Sequence, residues 1–376
     1  MARKLPASHP IRHIDWPLIA IVAVLAAYGA LLIYSATASS VGYYYLRLQV
    51  VWIVVGFIGM ALMASFDYLK LRTYSGLIYG AAVGLLFVVF LIGRVVLGAQ
   101  RWIPLGPRSI QPSELSKIAL IIILATLLSK KKEGAVDNRD VWIAVGYTIA
   151  LILLVFIQPD LGTALVFAAI AAGMLYAAGV NLWIITGLGA AAGAAAALAV
   201  KLNVLHQYQV NRLLVFLNPQ SDPTGAGYNI TQSKIAIGSG QFMGRGLLLG
   251  SQTRLNFIPH GSTDFIFAVL GEQLGFLGAA LLVILYGLLL WRIIKIALGS
   301  RELFGALLAV GVLSALLFQA FINIGMNIGI MPVTGIPLPL ISYGGSSFLT
   351  TMMAIGLVLS VAMRRYGGVA ERTKVF

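Results

Sequence analysis

The chain has 376 residues, of which 60% are hydrophobic and 10% charged, with no cysteine and a formal net charge of +14. This composition lies far outside that of a water-soluble domain and predicts an all-α integral membrane protein, a single polytopic membrane domain over residues 1–376. The lack of cysteine excludes disulfides, thiol nucleophiles and thiolate metal sites, and the histidines at 9, 13, 206 and 260 have none of the spacing of a zinc site.

Arg3, Lys4 and Arg12 precede the first apolar run, Trp16 to Ser35. Ala36-Thr37-Ala38 imitates a signal-peptidase site, but the run before it is long enough to span a bilayer and more spans follow. With further runs near 48–66, 75–95, 114–129, 141–158, 161–179, 182–200, 265–291, 303–325 and 346–363, about ten transmembrane helices are expected. Gly76, Gly80 and Gly84, and the Gly/Ala-rich stretch from Gly187 to Ala199, read as close helix packing.

Between the third and fourth runs, Arg101-Trp102-Ile103-Pro104-Leu105-Gly106 puts a cation and an aromatic where a lipid headgroup would lie, although Trp102 alone would suit a membrane-belt tryptophan. Glu114 and Lys117 follow at i and i+3 on one helical face, either an internal ion pair or part of a site. The stretch 201–263 forms a large extracytoplasmic loop between helices 7 and 8, with turn chemistry at Asn218-Pro219 and Asp222-Pro223. Within it, Ile230 to Ile237 is expected to be ordered against the membrane surface.

Asp264 opens the eighth run after Ser262 and Thr263, either of which can cap a helix. A carboxylate there suits a general base, and it equally suits a plain helix start. Glu272, two turns deeper, has a stronger claim to a buried partner. The last loop, Met331 to Ser347, holds three prolines, Pro332, Pro337 and Pro339, so it is not regular helix. Its Gly344-Gly345 pair precedes a helix start, where backbone N–H groups can face a phosphate, or where glycine serves the loop geometry alone.

With the N-terminus inside, 16 of the 26 basic residues fall in cytoplasmic segments, which favours both termini on the cytoplasmic side. The remaining cations lie toward the outer side and want an anionic partner; they are spread over loops rather than gathered on one soluble face, so nucleic acid is not expected. The same sorting leaves five outward acids, Glu114, Asp160, Asp222, Asp264 and Glu272. Outer cations, an interfacial aromatic and an acid at a helix mouth fit a lipid-linked diphosphate better than a small solute. A transporter would rather place broken helices at mid-bilayer.

Five motifs occur in order: Arg101 to Gly106, Gln111-Pro112-Ser113-Glu114-Leu115-Ser116-Lys117, Gln158-Pro159-Asp160-Leu161-Gly162-Thr163, Thr263-Asp264-Phe265-Ile266-Phe267 and Ile341-Ser342-Tyr343-Gly344-Gly345-Ser346. Across residues 14–366 the chain resembles the SEDS family (shape, elongation, division and sporulation). Gly335 to Pro339 and Leu255 to Pro259 are more similar to its rod-shape branch than to its division branch.

The resemblance implies ten transmembrane helices and a peptidoglycan glycosyltransferase that polymerises lipid II on the outer face of the plasma membrane for cell elongation. It implies a class B penicillin-binding protein as partner within the elongation complex. It places the catalytic role on Asp264, and on the substrate-binding side Arg101, Trp102, Glu114, Lys117, Asp160, Ser342, Gly344 and Gly345. A divalent cation, Mg or Mn, is an optional cofactor with no ligand set visible beyond the scattered outer acids. Three positions depart from the family pattern: His260 stands where an acid is common, Ser262 where a histidine is, and Gln273 where the second acid of a Gly-Glu-Glu-Leu-Gly run falls. A lipid II flippase and a noncatalytic scaffold for the penicillin-binding protein are the rival readings.

Overall fold

The computed structural model describes residues 13–96, 99–105, 108–130, 136–202, 215–216, 218–223 and 225–365. The first three helices are α1 (Trp16–Val41), α2 (Tyr44–Ser65) and α3 (Tyr68–Ile92), followed by α4 (Pro112–Leu128), α5 (Asn138–Ile157), α6 (Leu161–Ala177) and α7 (Leu182–Lys201). After them come α8 (Ala226–Gly240), α9 (Ile266–Leu298), α10 (Leu303–Ile328) and α11 (Gly345–Arg364). Five of these start on an aspartate or asparagine whose side chain accepts a first-turn N–H: Asp15, Asp67, Asp137, Asp160 and Asn181.

Among the described residues, eight helices, α1, α2, α3, α5, α7, α9, α10 and α11, are long and apolar enough to cross a membrane. The helices α4 and α6, at 17 residues each, reach the short end of the spanning range. Every residue of α4 except Leu115 is buried, whereas α7 buries none. The centre of the bundle is therefore α4 with α10 and α11, and α7 lies at its periphery.

Helices alone do not complete the chain. Between α3 and α4 runs an antiparallel meander of β1 (Arg94–Val96), β2 (Ala99–Leu105) and β3 (Arg108–Ile110), with Arg94 opposite Trp102 and Ile103 opposite Ile110. Three-residue strands are too short to show an alternating pattern, so the sequence reads as loop there.

The long connection after α7 contains an ordered helix, α8, one face of which packs against α9 and α10. Its buried face is Gly227, Ile230, Ser233, Ala236 and Gly240, and a Cβ at Gly240 would collide with the main chain of Gly271 and Glu272. Small residues on that face allow the close approach.

The helix α9 is broken at Gly275, whose φ of 60° and ψ of −155° suit glycine and little else. The loop before it repairs the break: Arg245 and Gly246 N–H donate to Glu272 and Gln273 O, and Phe276 N–H donates to Gln241 O. Residues 266–274 thus form a short half-helix. Residues 275–298 continue for about 36 Å, of which 275–291, up to Arg292, make up about 25 Å, the short end of the spanning range.

At the far end of α9, Arg292 forks onto Asp15 at 2.9 and 3.1 Å, and Arg364 donates to Ala64 and Ser65 O at the end of α2. These contacts mark one polar layer. The half-helix, the meander and the segment 331–344 mark the other.

Candidate functional site

Residues 259–265 form consecutive turns, held by Thr263 and Phe265 N–H donating to His260 O. The N-cap of α9 is Phe265, and no side chain caps the helix. Asp264 therefore lies one residue before the helix cap, and capping does not account for it.

What fixes Asp264 is the treatment of its main chain. Asn323 and Asn327, both fully buried and one turn apart on α10, each donate from Nδ2 to Asp264 O at 3.0 Å. Asn323 also donates to Ile336 O at 2.7 Å, and Asn327 Oδ1 accepts from Ala268 N–H at 3.1 Å. Beside them Ser342 donates to Thr263 O at 2.6 Å, and Tyr343 N–H donates to Ser262 O at 2.8 Å. Three consecutive carbonyls, 262 to 264, are thus each held from elsewhere in the chain, while residue 264 itself stays half-buried.

Ser342 has the role of a brace here, since its Oγ also accepts from Leu338 N–H at 2.8 Å. Asn323 and Asn327 were missed in the sequence. The available signal was a pair of amides on one face of an otherwise apolar helix, which needs a partner at that depth.

From Ser342 the site extends along the chain through Gly344 and Gly345 to Ser346. Ser346 Oγ accepts from Gln111 N–H at 3.2 Å, and Gln111 Nε2 donates to Asp160 Oδ2 at 3.0 Å. Asp160 also accepts from the N–H and hydroxyl of Thr163 at the start of α6, and lies 3.7 Å from Arg101. Arg101 donates to Gln158 O at 3.0 Å and to Pro159 O, so its guanidinium clasps the α5–α6 turn. Glu114 and Lys117 form a buried ion pair at 2.7 Å.

The fold thus brings Asp264, Ser342, Gly344, Gly345, Asp160 and Arg101 into one connected network, with Glu114 and Lys117 on the adjoining first turn of α4. Trp102 is half-buried on β2 beside Arg101. Two expectations shift in meaning. Gly345 abuts Trp52, so closely that a Cβ there would overlap the indole, and this packing explains the glycine without an anion. The cations Arg101 and Lys117 each have a carboxylate partner, so this group carries no surplus positive charge of its own.

The carboxylates of Glu114, Asp160, Asp222 and Glu272 each hold a neighbouring part of the structure. Glu114 pairs with Lys117 and Asp160 caps α6; Asp222 accepts from Gly225 and Ala226 N–H, and Glu272 accepts from Gln252 and Thr253 N–H and the Thr253 hydroxyl. Among the described residues no group of three His, Asp or Glu side chains converges to hold a metal ion.

Among the described residues, eight apolar helices of membrane-spanning length and the shorter α4 and α6, with the main chain at Asp264 clamped at one end of the bundle, define a polytopic membrane protein. The chain belongs to the FtsW/RodA/SpoVE family of cell cycle proteins, which matches residues 15–367. It is 38% identical over 361 residues to peptidoglycan glycosyltransferase MrdB of Escherichia coli, covering 94% of each chain. It is also 38% identical to stage V sporulation protein E of Bacillus subtilis, covering 93% of this chain and 96% of that one.

Among solved structures, the chain superposes on rod shape determining protein RodA of Thermus thermophilus with a TM-score of 0.71 at 31% identity, covering 94% of this chain and 98% of that one. A chain from a peptidoglycan synthase complex described as coordinating polymerization and crosslinking gives a TM-score of 0.81 at 33% identity, with the same coverage.

Proposed function

We propose that this protein is a peptidoglycan glycosyltransferase that polymerises lipid II, with Asp264 as general base. The observation that carries the reading is the clamp on carbonyls 262 to 264 by Asn323, Asn327, Ser342 and Tyr343, which presets the position of one carboxylate before substrate arrives. In the reaction the 4-hydroxyl oxygen of the GlcNAc on one lipid II bonds to the anomeric carbon at the lipid-linked end of the growing strand. Its proton passes to Asp264, the bond from that carbon to the diphosphate breaks, and undecaprenyl diphosphate leaves with inversion from α to β-1,4.

Arg101 and Lys117 are held by their carboxylates on the adjoining elements, and we assign them to shaping the floor on which the diphosphate lies. Among the described residues no three carboxylate or imidazole side chains converge to hold a metal ion, so the proton transfer is assigned to Asp264 alone. The site faces outward, with both termini in the cytoplasm. Elongation is the process we assign, on the similarity to the Thermus RodA fold and the rod-shape motifs Gly335–Pro339 and Leu255–Pro259. A class B penicillin-binding protein is the proposed partner, in line with the synthase complex that the fold matches.

The break in α9 gives the flippase reading its own support, because interrupted helices line many transport sites. Its position argues the other way: the stretch 275–291, up to the cation of the opposite polar layer, reaches the short end of a span on its own, so the break sits toward an edge rather than at mid-bilayer. Purified protein in detergent, with the penicillin-binding protein added, tests both readings at once. Wild type converts lipid II into glycan strands where there is no leaflet to cross, and Asp264→Asn does not. Absence of strands from wild type supports the flippase, and normal strands from the variant remove Asp264 as the base. Restoration of rod shape in cells lacking their own elongation polymerase tests the assignment to elongation.

A further inference from the structure

At the other end of the half-helix lies a second polar recess. A cavity of about 240 Å³ opens between the end of α1, the turn at 248–254 and α9, lined by Ser35, Ser39, Leu248, Thr253, Arg254 and Gln273. Along the half-helix, residues 264 and 273 are separated by about 13 Å, so this recess is distinct from the clamped carboxylate.

Gln273 is the informative member. It is fully buried, its Oε1 accepts from the Ser35 hydroxyl, and its Nε2 has no acceptor. The orientation of the amide follows from the network. Ser35 Oγ accepts from Leu248 N–H at 3.1 Å and gives its proton to Gln273 Oε1, an assignment that leaves the amide N–H₂ group without a partner. Two buried N–H donors therefore line the cavity unmatched, an arrangement costly enough to call for an acceptor.

The remaining polar groups point to the same partner. Arg254 is exposed at the rim and brings a positive charge, and Ser39 adds a hydroxyl. The Thr253 hydroxyl donates to Glu272 at 2.6 Å, and the Glu272 carboxylate, which lies behind Gly250, takes two further N–H donors from the turn it holds. Donors exceed acceptors, so a sugar, which must be offered both, fits poorly, and an oxyanion fits well. Around the mouth Leu248, Leu249 and Leu255 are exposed at 41%, 65% and 61%, an apolar surface on which acyl or prenyl chains can lie.

The geometry points to a binding site for the phosphate of a membrane lipid, held by Gln273 Nε2 and Arg254 with its chains against the leucine rim. The phosphate can come from a bilayer glycerophospholipid or from a polyprenyl carrier, and the two present the same oxygens to the cavity.

The test is retention of defined lipids by the purified full-length protein, read by native mass spectrometry. Phosphatidylglycerol is compared with diacylglycerol, and undecaprenyl phosphate with undecaprenol, so that each pair differs in the phosphate group. Wild type retains at least one phosphate-bearing lipid over its phosphate-free counterpart, and which one identifies the source. Gln273→Glu keeps the shape and the acceptor for Ser35 but puts a carboxylate in the cavity, and it lowers that retention at least tenfold. Arg254→Gln, at an exposed position that folding does not depend on, lowers it severalfold and decides the matter if the first variant does not fold. Equal retention of phosphate-bearing and phosphate-free lipids, or retention that Arg254→Gln and a folded Gln273→Glu leave unchanged, overturns the site.

Discussion

The two ends of the half-helix 266–274 use the same chemistry in opposite senses. At its start, buried side chains from other elements, Asn323, Asn327 and Ser342, hold the carbonyls of residues 263 and 264. At its end the half-helix supplies the side chain: Glu272 reaches out to hold the N–H groups of Gln252 and Thr253. Both devices satisfy buried backbone groups, as any irregular segment packed among apolar helices must. They differ in what happens to the acid. The start fixes a carboxylate's position through the main chain beneath it, while the end consumes its carboxylate in structure. The groups that hold come from outside the half-helix at its start and from within it at its end.

That contrast is most severely tested at Asp264. Asp264→Asn preserves shape and removes the base, and the polymerisation rate is expected to fall by about 10² to 10⁴. Asp264→Glu retains the base but displaces it by a methylene from a clamped main chain, and a loss of about 10²-fold is expected. Steady-state rates of glycan formation from lipid II check both; near-normal turnover by either would mean that the clamp does not serve catalysis at this carboxylate.

Next in size is the clamp itself. Asn327→Leu leaves Ala268 N–H without its acceptor and removes one of the two donors to Asp264 O, while Asn323 still holds that carbonyl. The expectation is a turnover loss of about tenfold to a hundredfold at nearly unchanged substrate affinity, because the acid remains but its position loosens. A merely structural role predicts instead that rate and affinity per folded molecule are normal once the melting temperature is taken into account. Measuring turnover, apparent affinity and thermal stability on the same preparation separates the two.

These tests turn on residues of unequal visibility in the sequence. Apolar runs of about 20 residues show the spanning helices directly, and Asp264 stands out because acids are scarce and few can face outward. Asn323 and Asn327 do not, because two amides vanish in the hydropathy of a 26-residue apolar helix. The break at Gly275 looks like one more glycine in a glycine-rich span; what makes it a break is the loop 241–246, which pairs with the freed carbonyls and comes from another part of the chain. Arg101 reads correctly as a cation at an interface, but its partners are carbonyls of residues 158 and 159, and no local pattern announces a side chain that clasps a distant turn. Local chemistry was legible wherever the partner was water or lipid, and hidden wherever it was a remote main chain.

The smallest expected effect lies at the far end of the half-helix. Glu272→Gln replaces one acceptor oxygen by an N–H₂ group that confronts donors, so either Gln252 N–H or the two groups of Thr253 lose their partner. One such loss typically costs about 1 to 3 kcal/mol, which lowers the melting temperature of the purified protein. The polymerisation rate at a temperature where the variant is folded should stay within about threefold of wild type, since the turn at 251–254 can loosen while Asn323, Asn327 and Ser342 still hold the other end. A loss of the size expected for Asn327→Leu would show that the two ends act as one rigid unit. The carboxylate of Glu272 would then belong to the positioning of Asp264 as much as the asparagines do.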